Sequence, residues 1–149
     1  MNEVSVQEAD FDVGAETVAL SAGDDGAGAV ATFVGLVRGE GIRAMSLEHY
    51  PGMTEKALAE IVEQARQRWQ LRRVRIIHRV GRLLPGDRIV FVGVSSSHRH
   101  DAFAACEFIM DYLKTRAPFW KKEETDAGAR WVDARESDDT AAARWEGAD

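Results

Sequence analysis

The sequence predicts an α+β protein in which mixed and antiparallel sheets carry two main helices and close with a C-terminal hairpin. Two observations carry that expectation. The apolar patterns run strand, strand, helix, strand, strand, helix, hairpin, without the strict βαβ alternation of a doubly wound sheet. The chain has 149 residues, 45% hydrophobic and 30% charged, the make-up of one globular domain over residues 1–149. A chain of this length buries roughly 70% of its unfolded surface, so a core forms without disulfides or a structural metal.

The elements follow in order. Residues 1–24 are polar with short alternations such as Val4 and Val6, and they run into the loop-like SAGDDGAG, so this segment reads as an irregular edge. GAVATFVGLVRG, from Gly28, sets Val30, Thr32, Val34 and Leu36 opposite Ala31, Phe33 and Val37, as a strand covered on both faces would. AMSLEHY reads as a second strand, and Pro51 and Gly52 turn the chain. In MTEKALAEIVEQARQRW, Leu58, Ile61, Val62, Ala65 and Trp69 recur at helical spacing. RRVRIIHRV and RIVFVGVSS are strand patterns joined by the turn GRLLPGD. Ser96 or Ser97 can cap a second helix, whose apolar stripe would be Phe103, Cys106, Ile109 or Met110, and Leu113. Pro118 ends that helix, because its ring clashes with a continuing turn and disfavours a helical Ala117. FWKKEETDAGARWVDA has the form of a hairpin turning at Asp126, Ala127 and Gly128, and the last residues, including 146–149, read as a frayed tail.

Composition excludes several function classes. A net charge of -6 and a pI near 5.3 leave no broad basic surface for nucleic acid or an anionic membrane. No apolar run approaches membrane-spanning length, and the acidic start MNEVSVQEADFDVG has neither a basic nor an apolar leader segment. One cysteine, Cys106, permits no intramolecular disulfide. The expected address is the cytoplasm.

Against that acidic balance, DYLKTRAPFWKKE gathers Lys114, Arg116, Lys121 and Lys122 around a proline and two aromatics. Lys114 closes the second helix and Lys121 follows the break, so the chain can double back and bring both amines to one pocket. Shared positive charge and partial desolvation would then lower a lysine pKa and leave one amine neutral as nucleophile or base. The other reading has Lys114 complementing the helix C-terminus and Lys121 and Lys122 in solvent. In SSSHRH a strand ends where a helix begins, so backbone N–H groups, Ser97, His98 and Arg99 can hold a phosphate, or the serine can be a simple cap. His98 and His100 have no partner motif for a metal, and none is expected. His49 and His78 lie in strands and read as packed or edge histidines. Cys106 falls on a core stripe and reads as a small hydrophobe rather than a thiolate.

The segments LEHYPGMTEKALAEIV, IHRVGRLLPGDRIVFVGVSSSHRHDAF, FIMDYLKTRAPFWKKE and RWVDARESD together resemble the large, catalytic subunit of molybdopterin synthase, from about Gly28 to Trp145, with residues 1–27 matching weakly. The resemblance implies a hammerhead-like α/β fold and a sulfurtransferase of molybdenum-cofactor synthesis. Such an enzyme converts cyclic pyranopterin monophosphate to molybdopterin by inserting two sulfurs. The sulfur comes from the C-terminal Gly-Gly thiocarboxylate of a small ubiquitin-like partner, so no cofactor is implied, and the assembly is a heterotetramer around a central dimer of large subunits. The implied catalytic residues are Lys114 and Lys121. Substrate-pocket roles are implied for Leu36, Val37, Arg38, His98, Arg99, Lys122, Glu123 and Arg135, with Phe33 and Met110 near the pocket. Arg38, His98, Arg99 and Arg135 would grip the phosphate while the lysines handle the sulfur.

Overall fold

The computed structural model describes residues 2–132 and 136–146. The elements are β1 (Val4–Gln7), α1 (Val13–Ala19), β2 (Ala29–Leu36), β3 (Ala44–His49), α2 (Met53–Arg68), β4 (Val74–Arg79), β5 (Gly81–Leu83), β6 (Arg88–Ser96), α3 (Arg99–Arg116), β7 (Phe119–Thr125), β8 (Gly128–Val132) and α4 (Glu136–Ala143). They form two four-stranded sheets, ordered β1-β4-β6-β2 and β5-β3-β7-β8. β1 pairs in parallel with β4, and the other pairings are antiparallel. The expected mixed and antiparallel α+β architecture is therefore present, with α2 and α3 as its long helices.

The continuous apolar run of β6 is explained by its place. It lies between β4 and β2, and Val90 to Ser96 are all buried because both faces are covered. One face meets Phe11, Leu20 and Ile77; the other meets α3, where the Cys106 thiol lies 3.9 Å from the Val92 carbonyl. Gly93 is required by the first packing, since a Cβ there would come within 2.4 Å of the Leu20 side chain. α2 buries Leu58, Ile61, Val62 and Ala65, the predicted helical stripe, into the same core as Phe108, Ile109 and Leu113 of α3.

Several elements differ from the sequence expectation. Residues 1–24 contain β1 and α1 rather than an irregular edge. Neither is long enough to declare itself by periodicity, and both are fixed by tertiary pairing. Arg72 and Arg88 form two-pronged contacts with Asp24 and Asp10, and Arg75 meets Glu16, so acids of the N-terminal segment are tied to the first sheet. The turn GRLLPGD contributes β5, which pairs with β3 on the side opposite β7. The expected stripe of α3 is corrected at Phe103, which is 66% exposed; the helix buries Ala102, Ala105 and Cys106 there instead, because it lies between the sheet and α4. Its N-cap is His98, not Ser96 or Ser97. The Ser97 hydroxyl donates to Gly26 O, and Ser96 Oγ donates to Gln70 O while accepting from His98 N. The hairpin forms as expected.

Residues 141–146 are not frayed. Ala142 is buried, and Trp145 packs edge-on against Trp69 and Phe108 at 5.6 and 5.5 Å while its Nε1 donates to Asp111 at 2.7 Å. Trp145→Ala is expected to lower the unfolding free energy by about 2 kcal/mol in urea titrations. An unchanged midpoint would mean that the α4 end contributes nothing to the core.

Candidate active site

The junction between α3 and β7 is built by proline chemistry. Arg116 ends the helix, Ala117 turns extended (φ -86, ψ 132), and Pro118 carries the chain into β7. Lys114 sits in the last helical turn with its side chain exposed. Lys121 lies in β7 opposite Leu47 of β3 and Val132 of β8. Directly paired residues share a sheet face, and faces alternate along a strand. Phe119, Lys121 and Glu123 therefore point with His49, Leu47 and Met45 toward the buried side, where Val37, Val80 and Leu83 also pack. Lys122 points the other way, opposite Ser46 and Trp131, with its ammonium 5.5 Å from the Trp131 ring centre. The two adjacent lysines thus serve different faces.

His78 is the centre of this junction. It projects from β4, is 4% exposed, and stacks on Phe119 with ring centres 3.8 Å apart and planes 19° from parallel. Its Nδ1 lies 2.8 Å from the Arg79 carbonyl, which can only accept, so Nδ1 carries the proton in the neutral ring. Burial first, then the nearby positive charges of Lys114 and His49, push the imidazole down to about 4. His78 is therefore an uncharged ring at neutral pH beside the Lys114 ammonium. Because Phe119 and Lys121 are same-face neighbours about 7 Å apart along the strand, Lys114 and Lys121 border the same stack.

The other predicted residues separate into groups. Arg38 follows β2, whose end pairs with the beginning of β6. α3 runs back along β6, so Arg38 lies toward the Lys114 end, and its side chain is exposed. Leu36 is half exposed, whereas Val37 is buried with Met45 and Leu83, and both of its backbone groups are bonded, to Asp87 O and Gly86 N. Met110 is a core residue, and Phe33 lies partly exposed on the edge strand β2. Arg135 lies outside the described residues.

His98 and Arg99 stand at the opposite end of α3. Fifteen residues of helix separate Arg99 from Lys114, about 22 Å along the axis. There they line a cavity of 820 Å³ with Gly28, Ser97, Phe103 and Trp145. The expectation that one chain wraps all of these cations around one guest is corrected by that length. Among the described residues, Arg38, Arg99 and Lys121 enter no ion pair, in contrast to the arginines that hold the N-terminal segment. The sequence reading missed His49 and His78 as parts of the site, although the alternation of β3 and β4 was legible.

The protein-family model described as MoaE protein matches residues 6–116. The chain belongs to the MoaE protein family. It is 64% identical to the molybdopterin synthase catalytic subunit of Ralstonia nicotianae, over 97% of this chain and 85% of that protein. It is 63% identical to the molybdopterin synthase catalytic subunit of Escherichia coli, over 91% and 92%. The solved structure of the molybdopterin biosynthesis MoaE protein from Burkholderia ambifaria superposes with a TM-score of 0.85 at 59% identity, covering both chains fully. The family match spans both histidines, Thr54 and Lys114, while Lys121 lies just beyond it.

Among the described residues no cluster of His, Cys, Asp and Glu could hold a metal ion. Cys106 is buried, and its thiol is pushed up to about 11, by burial first and by Glu107 second. It should stay unmodified by a thiol reagent at pH 8 until the protein is unfolded; rapid native labelling would contradict the packing.

The neutral state of His78 links stability to pH. The unfolded ring takes up a proton near 6.5 and the folded ring only near 4. Its contribution is whole above pH 6.5 and is lost as pH falls to 4, roughly 3 kcal/mol in all. The urea midpoint of the wild type should therefore fall more steeply over that window than that of His78→Phe. Parallel profiles would show that His78 is not held neutral.

Proposed function

We propose that this chain is the catalytic subunit of a molybdopterin synthase, inserting two dithiolene sulfurs into cyclic pyranopterin monophosphate with sulfur from the C-terminal thiocarboxylate of a small ubiquitin-like partner. The supporting observation is the pair Lys114 and Lys121 bordering one buried stack, in a chain over 60% identical to proteins of that name. A thiocarboxylate, a tetrahedral acyl intermediate and a phosphate are all anions, and the ammonium of Lys114 together with Arg38 and Lys121, which enter no ion pair among the described residues, supplies positive charge to meet them. Lys114 stands by the thiocarboxylate and steadies the negative charge formed when the spent acyl group is hydrolysed. Lys121, less exposed, moves the proton during attack on the pterin and opening of its cyclic phosphate. Arg38 holds phosphate oxygens through its guanidinium fork. Glu123 shares the face of Lys121. Because the sulfur arrives on the partner, neither a resident cofactor nor a cysteine nucleophile is needed, and the buried Cys106 fits that division.

The proposed reaction needs no membrane, and among the described residues no helix is long and apolar enough to cross one. We place the enzyme in the cytoplasm. The length of α3 also bears on assembly. If His98 and Arg99 bind the same guest as Lys114, the two groups must come from two copies of the chain, which suits a central dimer.

Lys114→Ala is expected to abolish dithiolene formation while the partner's Kd stays within about 3-fold of wild type; normal turnover would remove Lys114 from the mechanism. Lys114→Ala and Arg99→Ala, each inactive alone, should regain about a quarter of wild-type activity after subunit exchange, since half of the dimers then hold one intact site of two. No recovery on mixing would confine each site to one chain.

A further inference from the structure

Only Ala117 and Pro118 lie between the end of α3 and the start of β7, and at the entry to the strand Pro118 and Phe119 are each gripped by a buried group from a distant part of the chain. Pro118 is held through its carbonyl. Thr54, in the first turn of α2 and fully buried, donates its hydroxyl to Pro118 O at 3.0 Å and accepts from Tyr50 N at 2.9 Å. A hydroxyl can donate and accept at once, and a methyl in its place would leave both backbone groups without a partner. Phe119 is held through its ring, by the stack on His78. Behind the ring, the Nδ1–H bond to Arg79 O fixes the imidazole plane. The grip thus comes from α2 on one residue and β4 on the next, between Lys114 and Lys121.

We propose that Thr54 and His78 are positioning residues of the reaction, clamping the Pro118–Phe119 junction and so setting the spacing at which Lys114 and Lys121 present their amines. This rests on the synthase reading above for its catalytic consequence, but the clamp itself is a property of the fold. Neither residue touches the reacting groups. The groups that face the stack are Lys114 from α3, His49 from β3 and, along β7, Lys121. A small shift of the junction re-aims both amines together, and a displacement near 1 Å can cost about 100-fold in rate. For His78 the working part is the flat face, so a phenyl ring at that position keeps the clamp and a methyl loses it.

The test measures kcat and KM for the pterin precursor with thiocarboxylated partner, well below each variant's Tm. Thr54→Val should lower kcat about 10- to 100-fold with KM within about 3-fold, and Thr54→Ser should restore most of it. His78→Ala should behave like Thr54→Val, and His78→Phe like Thr54→Ser. A second arm needs no turnover: the chain has four lysines, which are labelled with 13C-methyl groups and resolved by NMR using single Lys→Arg variants. Thr54→Val and His78→Ala should move the Lys114 and Lys121 signals and leave Lys56 unmoved, with Thr54→Ser and His78→Phe near wild type. Folded Thr54→Val with wild-type kcat and wild-type lysine signals overturns the clamp. Loss in His78→Phe equal to that in His78→Ala overturns the stacking role. Should the wild type itself make no product, the synthase reading fails, and the NMR arm still decides whether the clamp exists.

Discussion

The site depends on a helix that cannot continue. α3 is long enough to cross the first sheet and is stopped at Ala117 by the proline that follows it. That stop turns the chain directly into β7, the strand that joins the second sheet to the first layer through Phe119. One covalent constraint therefore fixes where the helix ends, which strand begins and which side chains stand across the turn. Hydrogen bonding and stacking then remove the slack: Pro118 accepts from Thr54, and Phe119 lies flat on His78.

The electrostatics follow from which basic residues are already occupied. The chain is acidic overall, and several of its acids lie near the N-terminus, where they meet Arg66, Arg72, Arg75 and Arg88. Those pairs are partly exposed, so each contributes modestly on its own. Their larger consequence is to hold the N-terminal segment on the sheet. Arg38 and Lys121 are left out of that network, as is Arg99 at the far end of α3. A buried, neutral His78 beside Lys114 adds an aromatic surface without adding positive charge.

Much of the fold was legible from periodicity. α2 declared itself by its stripe, β6 by an unbroken apolar run, and the α3 stop by Pro118. β1, α1 and α4 were not legible, because four to eight residues carry too little pattern and their stability comes from partners far away in sequence: β4 for β1, Arg75 for α1, Trp69 and Phe108 for the segment after α4. In the candidate site, the closeness of Lys114 and Lys121 to one helix-to-strand junction was readable from their spacing around the proline. The separation of Arg99 from Lys114 was readable too, since fifteen helical residues fix a length, but grouping them by chemistry alone hid it. The opposite faces of Lys121 and Lys122 required the register of β7 against β3, which no single strand reveals. His78 looked like an ordinary strand histidine because its meaning lies in contact with Phe119.

In this account the protein supplies shape and charge, and the sulfur comes from outside. Cys106, buried against β6 with its thiol pushed far above neutrality, is in no position to carry it. The most direct test of that claim is isotopic: the wild-type chain, cyclic pyranopterin monophosphate and a partner whose thiocarboxylate is labelled with 34S are combined, and the dithiolene product is weighed by mass spectrometry. Two labelled sulfurs per pterin are expected. Unlabelled sulfur in the product, or no dithiolene at all, would contradict the account.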